Sequence, residues 1–288
     1  MRVISGVVRS AGKCNPVKVS FQPDMSLIGV EGDRNAVVIN ASNLQRVRRL
    51  DWFDRGLNIL NFGPQASGQT IEADIIDCYF FDNDFNLSEG VRIGNFQGAR
   101  GSTVNVRMSG NLSWGQKTGR LIVNNRAIES TVNVFSSGNR FRGNGGGTII
   151  VGGLSSNNTR ADGNTINFEA HGDQFVDNTN ATEFDHGGLV ALGTDNTSPL
   201  AGGGSNNTVN IKLWGCRTLD NTLWDLAGIG ARAVPESTAS LSQDNHITIE
   251  IQGDPSTNGK WQPVEFFADQ LPANPNNGNS VTVIRSVE

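Results

Sequence analysis

Thr131-Val-Asn-Val134, with Asn144 standing thirteen positions after its threonine, is one copy of the pattern that decides the fold. The same shape returns as Thr70-Ile-Glu-Ala73, Thr103-Val-Asn-Val106, Thr165-Ile-Asn-Phe168, Thr208-Val-Asn-Ile211, His246-Ile-Thr-Ile249 and Ser280-Val-Thr-Val283. Successive copies lie 33, 28, 34, 43, 38 and 34 residues apart. Thirteen positions beyond Thr70, Thr131, Thr165 and Thr208 stand Asn83, Asn144, Asn178 and Asn221. Gln116 takes that place after Thr103, and Asn258 falls one residue early after His246. Seven positions on stand Asp77, Gly110, Gly138, Gly172, Gly215 and Gly253. Fixed offsets carried through copies of unequal length are the mark of a stacked structural repeat.

The physics of each copy follows from its alternation. Ile71/Ala73, Val104/Val106, Val132/Val134, Ile166/Phe168, Val209/Ile211 and Ile247/Ile249 share one face of a strand, and polar residues share the other. One copy cannot bury that face alone, so copies must stack as rungs about 4.8 Å apart in parallel sheets. A second strand follows in each copy: Val91-Arg-Ile-Gly94, Leu121-Ile-Val-Asn124, Ile149-Ile-Val-Gly152, Val190-Ala-Leu-Gly193 and Ala227-Gly-Ile-Gly230, with Leu57-Asn-Ile59 a looser earlier case. The predicted fold is all-β, a right-handed parallel β-helix of about seven to nine coils with an asparagine ladder at the thirteenth position. Stacked amides there satisfy backbone groups of the turn, and glycine at the corners supplies positive φ. Phe80, Phe141 and Phe175 share a position and are expected to form a core column. Cys78 and Cys216 occupy one offset four coils apart, roughly 19 Å and beyond disulfide reach. The whole chain, 1–288, reads as one β-helix domain, with irregular N-terminal coils over 1–65 and regular coils over 66–288 whose loops lengthen in the C-terminal half.

Composition narrows the function. Glycine is 35 of 288 residues, aromatics are 7%, charged residues 18%, and the net charge is −5. Nucleic-acid binding needs a basic footprint that this balance lacks. No apolar run approaches the roughly 20 residues that span a bilayer. Met1-Arg-Val-Ile-Ser-Gly6 leads into strand-like sequence rather than a signal peptide, which leaves either a cytoplasmic protein or a chain that starts at its mature domain; the expected location is extracellular or at a cell surface. An odd cysteine count implies no disulfide framework. Nucleotide-binding glycine motifs, Cys-x-x-Cys and His-Glu-x-x-His are all absent from the sequence.

Ser137-Gly-Asn-Arg-Phe-Arg-Gly-Asn144 followed by Gly-Gly-Gly-Thr-Ile-Ile-Val-Gly152 resembles the repeat of the pectate-lyase-like β-helix superfamily. Phe21-Gln-Pro-Asp-Met-Ser-Leu-Ile-Gly29 followed by Ala36-Val-Val-Ile39 is similar to its early coils. The resemblance implies a fold shared by polysaccharide lyases, hydrolases, epimerases, adhesins and phage tailspikes, without choosing an activity.

Candidate chemistry lies on loops and outer faces, where solenoids carry function. The Asn178 copy takes eleven residues to reach its second strand where the Asn144 and Asn221 copies take four and five, and this insertion holds Glu183, Asp185 and His186. His186 beside two carboxylates is a candidate general base, with Glu183 or Asp185 as partner; an ordinary solvated loop is the alternative. At offset +4 stand Asp74, Arg107, Phe135, Glu169, Lys212 and Glu250. Lys212 is the catalytic candidate there, with Glu169 and Arg107 as substrate contacts; cross-strand charge pairing is the alternative. Asp177 and Asp220, on adjacent coils, are candidate Ca²⁺ ligands, a pair too small to hold the ion well. Trp224 is a candidate sugar platform, with a core or cap position as its alternative. The expected function is a β-helix that acts on, or binds, an extracellular polysaccharide or surface glycan, as a lyase or hydrolase if it is an enzyme. The alternative is a non-catalytic surface, adhesive or structural solenoid of adhesin or tailspike type.

Overall fold

In a computed structural model the protein is described over residues 18–21, 57–76, 79–81, 89–155, 159–178, 187–196, 203–221, 225–233, 242–252, 264–269 and 278–286. Strands form three sheets, and a short 3₁₀ turn at Pro64–Ala66 is the only helical element among the described residues. Sheet 1 holds Thr70–Ile76, Thr103–Ser109, Thr131–Ser137, Thr165–His171, Thr208–Trp214, His246–Gln252 and Ser280–Ser286, all parallel. Its register places Thr70, Thr103, Thr131, Thr165, Thr208, His246 and Ser280 opposite one another in turn. Lys18–Phe21 joins its edge antiparallel to Thr70–Ile76, as an edge strand rather than a parallel rung. Sheet 2 is built from three-residue strands: Tyr79–Phe81, Leu112–Trp114, Arg140–Arg142, Gln174–Val176 and Arg217–Leu219. Sheet 3 contains Leu57–Phe62, Glu89–Phe96, Thr118–Asn125, Gly146–Ser155, Leu189–Asn196, Leu226–Ala233 and Val264–Asp269. The chain visits the three sheets in rotation, and each strand pairs with its counterpart one coil on. This is an arrangement compatible with a parallel β-helix.

The core is the stack of inward side chains. Ile71, Val104, Val132, Ile166, Val209 and Ile247 form one buried column and Ala73, Val106, Val134, Phe168, Ile211 and Ile249 the next. Phe141 and Phe175 stack with ring centroids 5.5 Å apart, but Ser113 separates Phe141 from Phe80, so the expected three-ring column is interrupted. Sheet 3 corrects a second alignment. Leu121, Ile149, Val190 and Ala227 do face one another, yet Arg92, not Val91, lies opposite Leu121. Because side chains alternate, that one-residue slip moves Val91 into the inward column, where its neighbour on the next coil is Arg120. An arginine therefore sits fully buried between Val91 and Thr148, in the column that continues through Leu189 and Leu226.

Asparagine and its analogues hold the corners. Asn144 N–H donates to Asn178 Oδ1 (3.2 Å) and Asn178 N–H to Asn221 Oδ1 (3.1 Å). Just before the first residues of four sheet 1 strands, Asn164, Asn207, Asn245 and Asn279 are buried and bonded coil to coil, the backbone N–H of each of the first three donating to the next Oδ1 at 2.9–3.1 Å. A third column runs Asn111, Asn139 and Asp173, with Cys216 next in register. These are the groups that close the backbone's hydrogen bonds where the chain leaves one sheet for another. At the sheet 1 to sheet 2 corner, Gly110, Gly138, Gly172 and Gly215 all have φ of 60–64°, a conformation that costs other residues energy.

Candidate functional site

The outward face of sheet 1 carries a groove of about 750 Å³ that crosses five coils, from Glu72 and Asp74 to Asn210 and Lys212. Strand alternation builds it: residues 0, +2, +4 and +6 from each threonine point away from the core. At +2 the asparagines form a row on the surface. Asn105 Nδ2 donates to Glu72 Oε1 (2.5 Å), Asn133 Nδ2 to Asn105 Oδ1 (2.7 Å), Asn167 Nδ2 to Asn133 Oδ1 (2.8 Å) and Asn210 Nδ2 to Asn167 Oδ1 (2.9 Å). Asn105, Asn133 and Asn167 each spend one N–H and one lone pair on their neighbours. One donor and one acceptor per coil remain for whatever lies in the groove.

The +4 column runs alongside in the register Asp74, Arg107, Phe135, Glu169, Lys212, Glu250. Cross-strand ion pairing does not organise it. Glu169 turns along its own strand and accepts from His171 Nε2 at 2.7 Å, while Glu250 accepts from Gln252 Nε2 at 2.5 Å. Arg107 and Lys212 are exposed and make no ion pair among the described residues. Between them Phe135 is 44% exposed, a large apolar surface held on a rigid strand. His171 stands between two aromatic side chains, 5.3 Å from the Phe135 ring and edge-on to Trp214 at 4.4 Å. The groove thus combines amide pairs, an exposed ring, two cations without an ion pair among the described residues, and Glu169, whose partner His171 stands on the same face beside it.

The structure brings Arg107, Glu169 and Lys212 to one face, and adds Phe135, His171 and Trp214 to them. The signal for Glu169 and His171 is present in the sequence, since positions i and i+2 of a strand share a face. A search for histidine beside carboxylates in consecutive sequence selects 183–186 instead. Glu183, Asp185, His186 and Trp224 lie outside the described residues.

Asp177 and Asp220 have a conformational reason for their position. Their φ values, 53° and 54°, match the left-handed corner that Gly115 and Gly143 fill in earlier coils. Aspartate is among the few non-glycine residues that enter this region readily. Asp177 also accepts from Arg142 Nε at 3.2 Å, and no group of three or more metal-ligating side chains occurs among the described residues. Cys216 is no candidate nucleophile: burial first, and then the Asp173 charge, push its thiol up to about 12. No helix among the described residues is long and apolar enough to cross a membrane. Comparison with protein-family models, with curated proteins and with solved structures finds no match for the chain.

Proposed function

We propose that the protein is a right-handed parallel β-helix of pectate-lyase-like kind, with an asparagine ladder through its coils, that binds an extracellular polysaccharide in the sheet 1 groove. The observation that carries the reading is the asparagine row beside Phe135. A sugar chain offers vicinal hydroxyls, each both donor and acceptor, and the row repeats a donor and an acceptor once per coil. Phe135 supplies the apolar contact for a ring face, as aromatic side chains do in binding sites. Charged groups at Arg107, Glu169 and Lys212 then select among glycans.

Isothermal titration with a panel of neutral oligosaccharides tests this. Phe135→Ala is expected to weaken the best binder about tenfold, or 1.4 kcal/mol. The variant should fold normally, because the ring is exposed. A panel without a binder, or a binder indifferent to Phe135→Ala, removes the proposal.

A catalytic version of the same reading is favoured by Glu169 in the groove, its partner His171 on the same face, and Lys212 on the next coil. A positioned imidazole or amine beside a bound chain is the equipment of proton transfer. Glu183, Asp185 and His186 stay candidates for the same role. Release of reducing ends, or of unsaturated uronates followed by ultraviolet absorbance, separates enzyme from binding protein. Lys212→Ala and Glu169→Gln should then abolish turnover while binding through Phe135 and the asparagine row persists, measured with a neutral glycan. If no turnover appears on any glycan that binds, the adhesive reading stands.

A further inference from the structure

Sheet 2 presents a second surface, built from residues that do not line the groove. Its middle residues, Ser113, Phe141, Phe175 and Thr218, are buried, so the residues on either side point outward. They form two columns: Leu112, Arg140, Gln174, Arg217 and Trp114, Arg142, Val176, Leu219. Trp114 is 55% exposed, the largest exposed apolar side chain among the described residues. It is also held in place from below. A Cβ on Gly143 would lie 2.9 Å from Trp114 Cδ1 and Nε1, so the indole rests over bare backbone one coil on.

The charge on this face is one-sided by column. Arg142 is neutralised by Asp177, and Asp220 stands at the same corner of the next coil. Along the other column Arg140 and Arg217 are exposed, with Gln174 between them, and neither meets a carboxylate among the described residues. Arg140 Nε donates to Gln174 Oε1 at 3.1 Å, which fixes its side chain while most of the guanidinium fork stays free. The two guanidinium groups are two coils apart, about 10 Å. Chain net charge is −5, so an arginine column without acidic partners is not the average of this surface.

We propose that this face is a second binding site, for an anionic sugar chain bearing carboxylate or sulfate groups, with Trp114 as the stacking platform and Arg140 and Arg217 as the anion contacts. Guanidinium matches planar oxyanions with paired hydrogen bonds, and tryptophan with arginine are the side chains that dominate interface energetics. A nucleic acid is the less suited polyanion, since two uncommitted arginines are a small footprint for a phosphate backbone. The site is separate from the groove and takes a different charge class.

Dextran, carboxymethyl-dextran and dextran sulfate share a backbone and differ in charge, which makes them the probes. Both charged polymers are expected to bind the full-length protein with an affinity that falls as salt rises, and uncharged dextran is not. Trp114→Ala should weaken binding several-fold, and the Arg140→Gln/Arg217→Gln double variant at least tenfold, with thermal melts unchanged. Neutral ligands of the groove keep their affinity in these variants, so failure of the groove reading and of this one are read separately. Equal binding of dextran, or a double variant that binds like the wild type, overturns the proposal. So does a single-stranded oligonucleotide that binds more tightly than either charged dextran with the same dependence on the arginines.

Discussion

Asp173→Ala is expected to lower the stability of the protein by about 3–5 kcal/mol, the cost of leaving a buried charge uncompensated. Arg120 and Asp173 are both fully buried, with Nη2 and Oδ2 3.4 Å apart. Arg120 Nη1 donates to Ser136 Oγ at 2.6 Å, and Ser136 Oγ donates in turn to Asp173 Oδ2 at 2.5 Å. The guanidinium carbon lies 4.5 Å from the Phe141 ring centroid and 4.6 Å from that of Phe168. Burial lowers the Arg120 pKa, and the Asp173 charge and hydrogen bond oppose that shift. Removing the carboxylate also strands Asn139, whose backbone N–H donates to Asp173 Oδ1 at 2.9 Å.

The double variant Arg120→Leu/Asp173→Asn is expected to recover most of the loss. Leucine suits a column shared with Val91, Leu189 and Leu226, and asparagine continues the column of Asn111 and Asn139. Denaturant unfolding of the singles and the double measures the coupling between them. Additive losses, or a single-variant loss below about 1 kcal/mol, would contradict an ion pair that compensates itself in the core.

The second large effect is a contrast between two asparagines. Asn207 is buried: Oδ1 accepts from Asn164 N–H (3.1 Å) and Asn164 Nδ2 (3.0 Å), and Nδ2 donates to Ala161 O (2.8 Å) and Asn245 Oδ1 (2.9 Å). Asn207→Ala leaves the Asn164 backbone N–H and the Ala161 carbonyl without their partners inside the protein. At about 1–3 kcal/mol for each orphaned group, the expected loss is on the order of 2–6 kcal/mol. Asn167, at the surface of sheet 1, has water to replace its neighbours, and Asn167→Ala is expected to cost under about 1 kcal/mol. Equal losses at the two positions would show that buried asparagines do not close the turns.

Strand register was the most legible part of the fold. Thr131 and Thr165 are in step because the Val132/Val134 and Ile166/Phe168 pairs must both face inward, and a slip by one exposes both. Sheet 3 was less legible because its apolar run is continuous: Leu121-Ile-Val123 and Ile149-Ile-Val151 carry no alternation to say which residues face in. Both of its faces are apolar, with Ile122 and Ile150 in the main core and Val123, Ile149, Val151 and Leu192 in a second buried cluster. Such runs are ordinary for parallel sheets covered on both sides. Arg120 was invisible for the same reason, since nothing in its own segment announces a buried arginine; its partner Asp173 is 53 residues away. The candidate site was legible in columns. Offset +4 assembled Arg107, Glu169 and Lys212 correctly on one face, whereas the pairing of Glu169 with His171 rather than with Lys212 depends on side-chain geometry that spacing does not carry.

The measurement that bears most directly on the central claim is a crystal structure of the protein with the neutral oligosaccharide that it binds most tightly. Sugar rings lying along sheet 1, with one over Phe135 and hydroxyls on the Asn133 and Asn167 amides, are the predicted result. A glycan seated on another face, with the sheet 1 groove empty at saturating ligand, would contradict it.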